Sequence, residues 1–325
     1  MGDEAPAGLD SAAASAHGER FLVTGVLGCL GAWVARAVLA DGGEVVGFDL
    51  GDNTARLRLV LGEDADRITL VRGDITDLDA LEWSLDEHGI NRLVHLAALQ
   101  VPFVRADPPL GMQVNVAGTV NVFEAVSRRL ERIPCVAYAS SAAVYAPSDP
   151  SPAPEPGGTA PQTLYGVSKL ADEGIARVYA ADAGLPSIGL RPYVVYGPGR
   201  DQGMTSGPTE AMLAAVHGEP YTIGFSGAAQ YDYAPDVARA FVMAAAASRS
   251  DAAVYNVPGV VASVEDVVAA IHAVVPEAEI TWSGDPLPFP SELEALGFDR
   301  DVGRFPRTTL EDGVAATITH FRAAA

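Results

Sequence analysis

The chain of 325 residues predicts an α/β protein: a doubly wound parallel sheet with a smaller carboxyl-terminal lobe. Three observations carry that expectation. Short apolar runs alternate with stretches of helical periodicity, which calls for crossover connections and a sheet covered on both faces. Gly25, Gly28 and Gly31 stand between the first apolar run and the first helical stretch. Hydrophobic residues make up 49% of the chain, enough to bury a large core and to exclude disorder as its main description.

The elements follow in order. Residues 1–19, rich in Ala, Gly, Ser and acid, read as a disordered leader rather than a signal peptide, which would be basic at its start. The apolar stretch 21–40 is broken by Arg36 and three glycines, so it reads as strand, turn and helix rather than a membrane span. Strand-like runs fall at 21–24, 44–49, 68–72, 92–96, 135–140, 187–192 and 254–257, and helical patterns notably at 30–40, 109–128 and 165–183. Residues 146–162 contain six prolines and read as a surface loop. Beyond Gly197 the pattern is less regular, with helices near 208–217 and 264–275. The expected division is a dinucleotide-binding domain over 20–196, to whose sheet the strand near 254–257 returns, and a lobe over 197–325 that mainly binds substrate. A cleft then lies at the carboxyl ends of the parallel strands.

Asp and Glu number 42 against 21 Lys and Arg, a net charge of −21, which argues against a nucleic-acid or anionic-membrane partner. Of those 21 basic residues only Lys169 is lysine. The two cysteines, Cys29 and Cys135, give neither a disulfide framework nor paired metal-ligand spacing, so a reducing cytoplasm is the expected setting and no metal is expected.

In the glycine turn, Gly25 permits a tight turn, Gly28 lets backbone approach a pyrophosphate, and Gly31 lets helix pack on sheet. The helix amino terminus adds free N–H groups and a positive dipole end. Asp49 ends the next strand, where a carboxylate accepts hydrogen bonds from ribose hydroxyls and repels a 2′-phosphate. NAD is therefore favoured over NADP, with Arg56 and Arg58 as the competing consideration.

Tyr165 and Lys169 are four residues apart on one helix face. A phenol is a weak base at neutral pH unless a nearby positive charge favours the phenolate. Lys169 can supply that charge, and its place as the sole lysine suggests a requirement that arginine does not meet. Ser141, where a strand runs into a turn, can hydrogen-bond the reacting oxygen while Tyr165 takes or gives its proton.

Together these residues resemble the short-chain dehydrogenase/reductase superfamily, in its extended branch of NAD-dependent sugar epimerases, dehydratases and related dehydrogenases. The resemblance spans residues 20–321 and rests on Thr24, Gly25, Gly28, Gly31, Asp49, Gly73-Asp74-Ile75, His95-Leu96-Ala97-Ala98, Asn115, Ser141, Tyr165, Lys169, Leu190-Arg191-Pro192-Tyr193 and Tyr196-Gly197-Pro198-Gly199-Arg200. It implies a Rossmann fold, hydride transfer to or from NAD, and Tyr165, Lys169 and Ser141 as the catalytic residues. It further implies cofactor contacts at Leu27, Cys29, Leu30, Asp74, Ile75, Leu96, Ala97, Ala98, Asn115, Ser140, Pro192, Tyr193 and Val194 besides the glycines and Asp49. The implied assembly is a homodimer in which the helices around 115–128 and 165–183 form a four-helix bundle.

Two departures bear on the substrate. Where members acting on nucleotide sugars usually carry an asparagine and an arginine for the substrate diphosphate, this chain has Val194 and, in the segment before Asp232-Tyr233, no arginine. Two phosphates without such partners are costly to bury. Ala142 and Ala143 replace the acidic pair of dehydratases. The expectation is hydride transfer at a secondary alcohol or ketone of a small unactivated substrate, a sugar, sugar acid or polyol, touching Gln100, Ser141, Ala142, Tyr193, Arg200 and Thr205. The rival is an NAD-retaining nucleotide-sugar 4-epimerase, kept open by Arg200. A non-catalytic dinucleotide sensor is disfavoured by the presence of Tyr165 and Lys169.

Overall fold

The computed structural model describes residues 16–156 and 160–324. Seven strands form the central sheet: β1 (Arg20–Thr24), β2 (Glu44–Asp49), β3 (Thr69–Arg72), β4 (Arg92–His95), β5 (Val136–Ala139), β6 (Ser187–Arg191) and, out of sequence, β10 (Ala252–Asn256). Their spatial order is β10-β6-β5-β4-β1-β2-β3, and every pairing is parallel. These are the seven runs expected, with ends shifted by at most two residues. Order reverses between β1 and β4, so the loops after them diverge and leave a crevice at their carboxyl ends.

Helices α1 (Cys29–Ala40) and α9 (Ala234–Ala246) cover one face, where Phe21, Val23, Val34, Val94 and Phe241 share a core. Helices α3 (Leu78–Glu87), α6 (Gly118–Ser127) and α7 (Leu164–Ala183) cover the other, around Leu22, Phe48, Phe123 and Tyr138. The helix expected over 109–128 is α5 (Pro108–Met112) joined to α6 through a π turn at Gln113–Ala117. The shorter helices α2 (Ala55–Leu61) and α4 (Val101–Ala106) lie after β2 and β4.

The remaining elements build a third core. Strands β7 (Val194–Tyr196), β9 (Ala228–Tyr233) and β11 (Val260–Ser263) form one small sheet, and β8 (Tyr221–Ile223) pairs with β12 (Ile280–Trp282). Helices α8 (Gly207–His217), α10 (Val264–Val274) and α12 (Leu310–Ala324) pack on them, and α11 (Leu296–Asp301) follows β12. The chain does not stay in this lobe: α9, although it follows residue 197, returns to lie against α1 beneath the large sheet.

Two loop expectations need correction. The leader expected over 1–19 lies outside the described residues up to 15, but Ala16 is buried and Glu19 pairs with Arg92 at 2.9 Å, so structure begins before the first strand. The proline-rich segment is not only a surface crossing. Ala153 is fully buried and bridges Leu293, and the Glu155 carboxylate accepts the N–H groups of Asn256 and Gly297 at 3.2 and 3.0 Å. Burial holds that carboxyl at about 7, against the backbone donors that lower it.

Candidate active site

At the crevice, Gly25 has φ of +72° and a Cβ there would sit 2.8 Å from the Ala97 backbone, so the turns after β1 and β4 touch only because Gly25 lacks a side chain. A Cβ on Gly31 would stand 2.2 Å from the Gly25 carbonyl oxygen. Gly28 caps α1 without a side chain, which keeps the helix start open to an anion. The Asp49 carboxylate accepts from the Leu27 and Gly51 N–H groups at 3.0 and 3.1 Å, which aims it at the glycine turn with lone pairs left for ribose hydroxyls. Arg56 pairs with Asp201 and Arg58 with Asp66, so both guanidiniums that could have favoured a 2′-phosphate are matched by acids. Asp74 turns its loop by accepting the Thr76 N–H at 2.9 Å, and Ile75 is buried against Gly118. Cys29 opens α1 beside the Pro198 carbonyl, and burial pushes its thiol up to about 12. Leu30 packs on the core at the same helix end.

Helix α7 begins at Thr163, whose hydroxyl accepts the Gly166 N–H at 3.0 Å. A Cβ on Gly166 would lie 2.1 Å from the Ala143 carbonyl oxygen, so the first turn of the helix rests directly on the loop carrying Ser141. Ser141 accepts the Ala143 N–H at 3.1 Å and Tyr165 stays partly exposed. Lys169 is buried, its Nζ 6.0 Å from the Tyr165 ring centroid and 3.1 Å from Asp172 Oδ2. Burial opposes its charge, but Asp172, Tyr165 and Glu173 outweigh that and raise its pKa.

His95 is neutral. The Thr119 hydroxyl gives its proton to the Asn115 carbonyl at 2.6 Å, so it can only accept from His95 Nε2 at 3.1 Å. His95 Nδ1 then accepts from Thr24 Oγ1 at 2.7 Å, while that oxygen accepts the Leu96 and Ala97 N–H groups at 3.2 and 3.3 Å. Burial, then the Lys169 charge, holds the imidazole at about 3.

Two residues expected at the cofactor have side chains committed elsewhere. Asn115, in the π turn, accepts from the Leu99 N–H at 2.7 Å and donates to the Leu99 carbonyl at 3.0 Å and Ser168 Oγ at 3.2 Å. It pins the loop carrying Leu96, Ala97 and Ala98 rather than offering its amide to a ligand. Ser140 Oγ donates to Glu173 Oε1 at 2.6 Å, which leaves only its backbone to face the crevice. Val194 is fully buried, and Pro192 accepts the Ala142 N–H at 3.0 Å.

Among the substrate candidates, Gln100, Arg200 and Thr205 come together around Gly203. A Cβ there would lie 2.4 Å from Gln100 Oε1 and 3.0 Å from Arg200 Nη2, and Arg200 donates to Thr205 at 3.3 Å. Gln100 Oε1, Arg200 Nε and Tyr193 Oη are buried without partners. Ala142 is buried. Sequence reasoning passed over Asp172, Glu173 and Thr119, because acids and a threonine on helices give no sign of facing inward.

The sequence profile of the NAD dependent epimerase/dehydratase family matches residues 21–258. The chain belongs to that family. Its cofactor is NAD, for which the glycine cradle and the aimed Asp49 carboxylate are suited. This family member is 31% identical to a UDP-glucose 4-epimerase of Mycolicibacterium smegmatis over 93% of its own length and 98% of that protein's. It is 27% identical to the Thermus thermophilus UDP-glucose 4-epimerase solved with NAD, with a TM-score of 0.79, covering 94% of this chain and 100% of that one. An L-threonine dehydrogenase from Cupriavidus necator is 25% identical with a TM-score of 0.82, covering 92% and 99%.

Proposed function

We propose that the protein is an NAD-dependent oxidoreductase acting on a secondary alcohol or ketone of a small substrate that carries no nucleotide. The observation that supports this reading is the wall where a nucleotide diphosphate would need partners. Val194 is sealed in β7, and Gln230 is buried, its amide donating to Asp232 at 2.9 Å and to the Val257 carbonyl at 2.8 Å. Neither offers a donor to a phosphate. The cluster of Gln100, Arg200 and Thr205 suits a hydroxyl- or carboxylate-bearing molecule, which extends the range from polyols and sugar acids to hydroxy amino acids such as the substrate named for the Cupriavidus relative.

NAD supplies the hydride acceptor or donor. Ser141 holds the substrate oxygen, and Tyr165 Oη takes its proton as the carbon–hydrogen bond gives up a hydride, leaving a ketone. Lys169 keeps a positive charge beside the phenol. Asn115 fixes the loop of Leu96–Leu99 at the crevice.

The second reading, a nucleotide-sugar 4-epimerase, is favoured by the full-length likeness to the Mycolicibacterium enzyme. A panel of polyols, sugar acids, hydroxy amino acids and UDP-sugars incubated with enzyme and NAD separates them. Stoichiometric NADH with an unactivated alcohol supports the first reading; epimer formation with no net NADH overturns it. We also propose a homodimer through the exposed Val120, Val167 and Val178 on α6 and α7, to be checked by sedimentation. Among the described residues no helix is long and apolar enough to cross a membrane, and the free thiols of Cys29 and Cys135 suit the cytoplasm.

A further inference from the structure

The face of α7 that turns inward carries a carboxylate that the chemistry above does not use. Asp172 is one turn beyond Lys169, and the side chains of the pair are 1% and 3% exposed. Its Oδ2 takes the ammonium at 3.1 Å, and its Oδ1 has no hydrogen-bond partner. A buried carboxylate with one oxygen unmatched is a costly arrangement. It persists beside the one lysine of the chain, which sits beside the candidate catalytic phenol.

We propose that Asp172 is the counter-ion of Lys169, a positioning residue whose negative charge offsets the ammonium and so limits how strongly it favours the Tyr165 phenolate. This rests on the reading of Tyr165 as the proton-transfer group. The neighbours leave Asp172 as the adjustable charge. His95 on β4 is held neutral by burial and by the Lys169 charge, with Thr24 and Thr119 at its two ring nitrogens. Glu173 on the same helix is paired with Arg191 on β6 at 2.7 Å, and Tyr138 on β5 is driven neutral by burial and by these acids. The Thr119 hydroxyl on α6 donates to the Asn115 carbonyl at 2.6 Å and also lies beside Asp172, where it favours the carboxylate. Burial lifts the Asp172 carboxyl to about 6, against the Lys169 charge, so it is ionised through the neutral and alkaline range. Removing one negative charge from a cluster lowers the proton affinity of every group left in it. Asp172→Asn therefore moves Tyr165 ionisation to lower pH, by about one unit.

The test needs no substrate. Of the ten tyrosines, the other nine are all pushed above the usual phenol range, burial being the largest cause in each, so a phenolate forming at lower pH stands apart from them. Phenolate absorbance near 295 nm is titrated in the NAD-saturated protein and in its Tyr165→Phe variant, and the difference is assigned to Tyr165. The same pair is then made with Asp172→Asn and with Asp172→Ser, each checked for fold by circular dichroism. A downward shift of about one unit in either background, reversed by Asp172→Glu, supports the proposal. If the Tyr165 signal is present but unmoved, or moves upward, Asp172 is not the tuning charge and the catalytic reading survives. If no signal separates from the other nine, the catalytic reading itself falls. If neither variant folds, Asp172 is a structural partner only and the proposal is withdrawn.

Discussion

Two ion pairs lie side by side inside the protein, on consecutive residues of one helix, and they are built differently. Glu173 meets Arg191 through two bonds of 2.7 Å, takes a third from Ser140, and Arg191 goes on to Tyr145 and the Glu155 carbonyl. Asp172 meets Lys169 through one bond, and its second oxygen is unmatched. The first is a saturated junction of α7, β5, β6 and the proline-rich loop. The second leaves a lysine free to face the crevice. A pair whose nitrogens and oxygens are all engaged can only hold the fold, whereas a pair with spare capacity can respond to what binds beside it.

That contrast can be broken from either side. Tyr165→Phe carries the largest expected effect: loss of about 10²- to 10⁴-fold in turnover with NAD affinity and melting temperature unchanged, read by steady-state kinetics on whichever substrate the panel reveals. Full turnover in that variant would remove the acid/base assignment. Glu173→Gln comes next. It strands a guanidinium that cannot shed its proton, so denaturant unfolding should show a loss of about 3–5 kcal/mol. Asp172→Asn should cost less, about 1–2 kcal/mol, because the pair is joined by one hydrogen bond and the amide keeps an oxygen that can accept from the ammonium. Equal losses in the two variants would erase the distinction between the pairs.

The smallest effect concerns pH. Glu155, beside the saturated junction, and Asp232, under Tyr193, are both held at about 7 by burial. Their native values lie above the usual carboxylate range, so they bind protons more tightly folded than unfolded. The stability they contribute is full in acid below that range and is lost as pH rises through about 7. The denaturation midpoint should therefore fall between pH 5 and 8, and Glu155→Gln should make that fall shallower.

Much of the sheet half was legible in advance and much of the lobe was not. Runs such as Val45-Val46 and Leu93-Val94 are continuous because parallel strands are covered on both faces, and the helices between them repeat the signal. The strand Ala228–Tyr233 mixes Gln230 and Asp232 with tyrosines, and β8 and β12 span three residues each, so their pairing depends on partners far along the chain. Helix α9 carries the unbroken apolar run Ala240–Ala246, which by itself does not separate a helix from a buried strand. At the site, Tyr165, Lys169 and Ser141 were visible as a spaced set. Asp172 was not, since an acid three residues after a lysine is the usual pattern of an exposed helix, and only its burial shows otherwise.

The sole lysine has a practical side. A sample grown with nitrogen-15 lysine as its only labelled amino acid carries one labelled side chain, and that side chain is Lys169, 2% exposed beside Tyr165 and Asp172. Its magnetic resonance spectrum would hold a single ammonium signal. Every ligand that enters the crevice, and every change of charge around it, would be read from that one line without competition from the rest of the molecule.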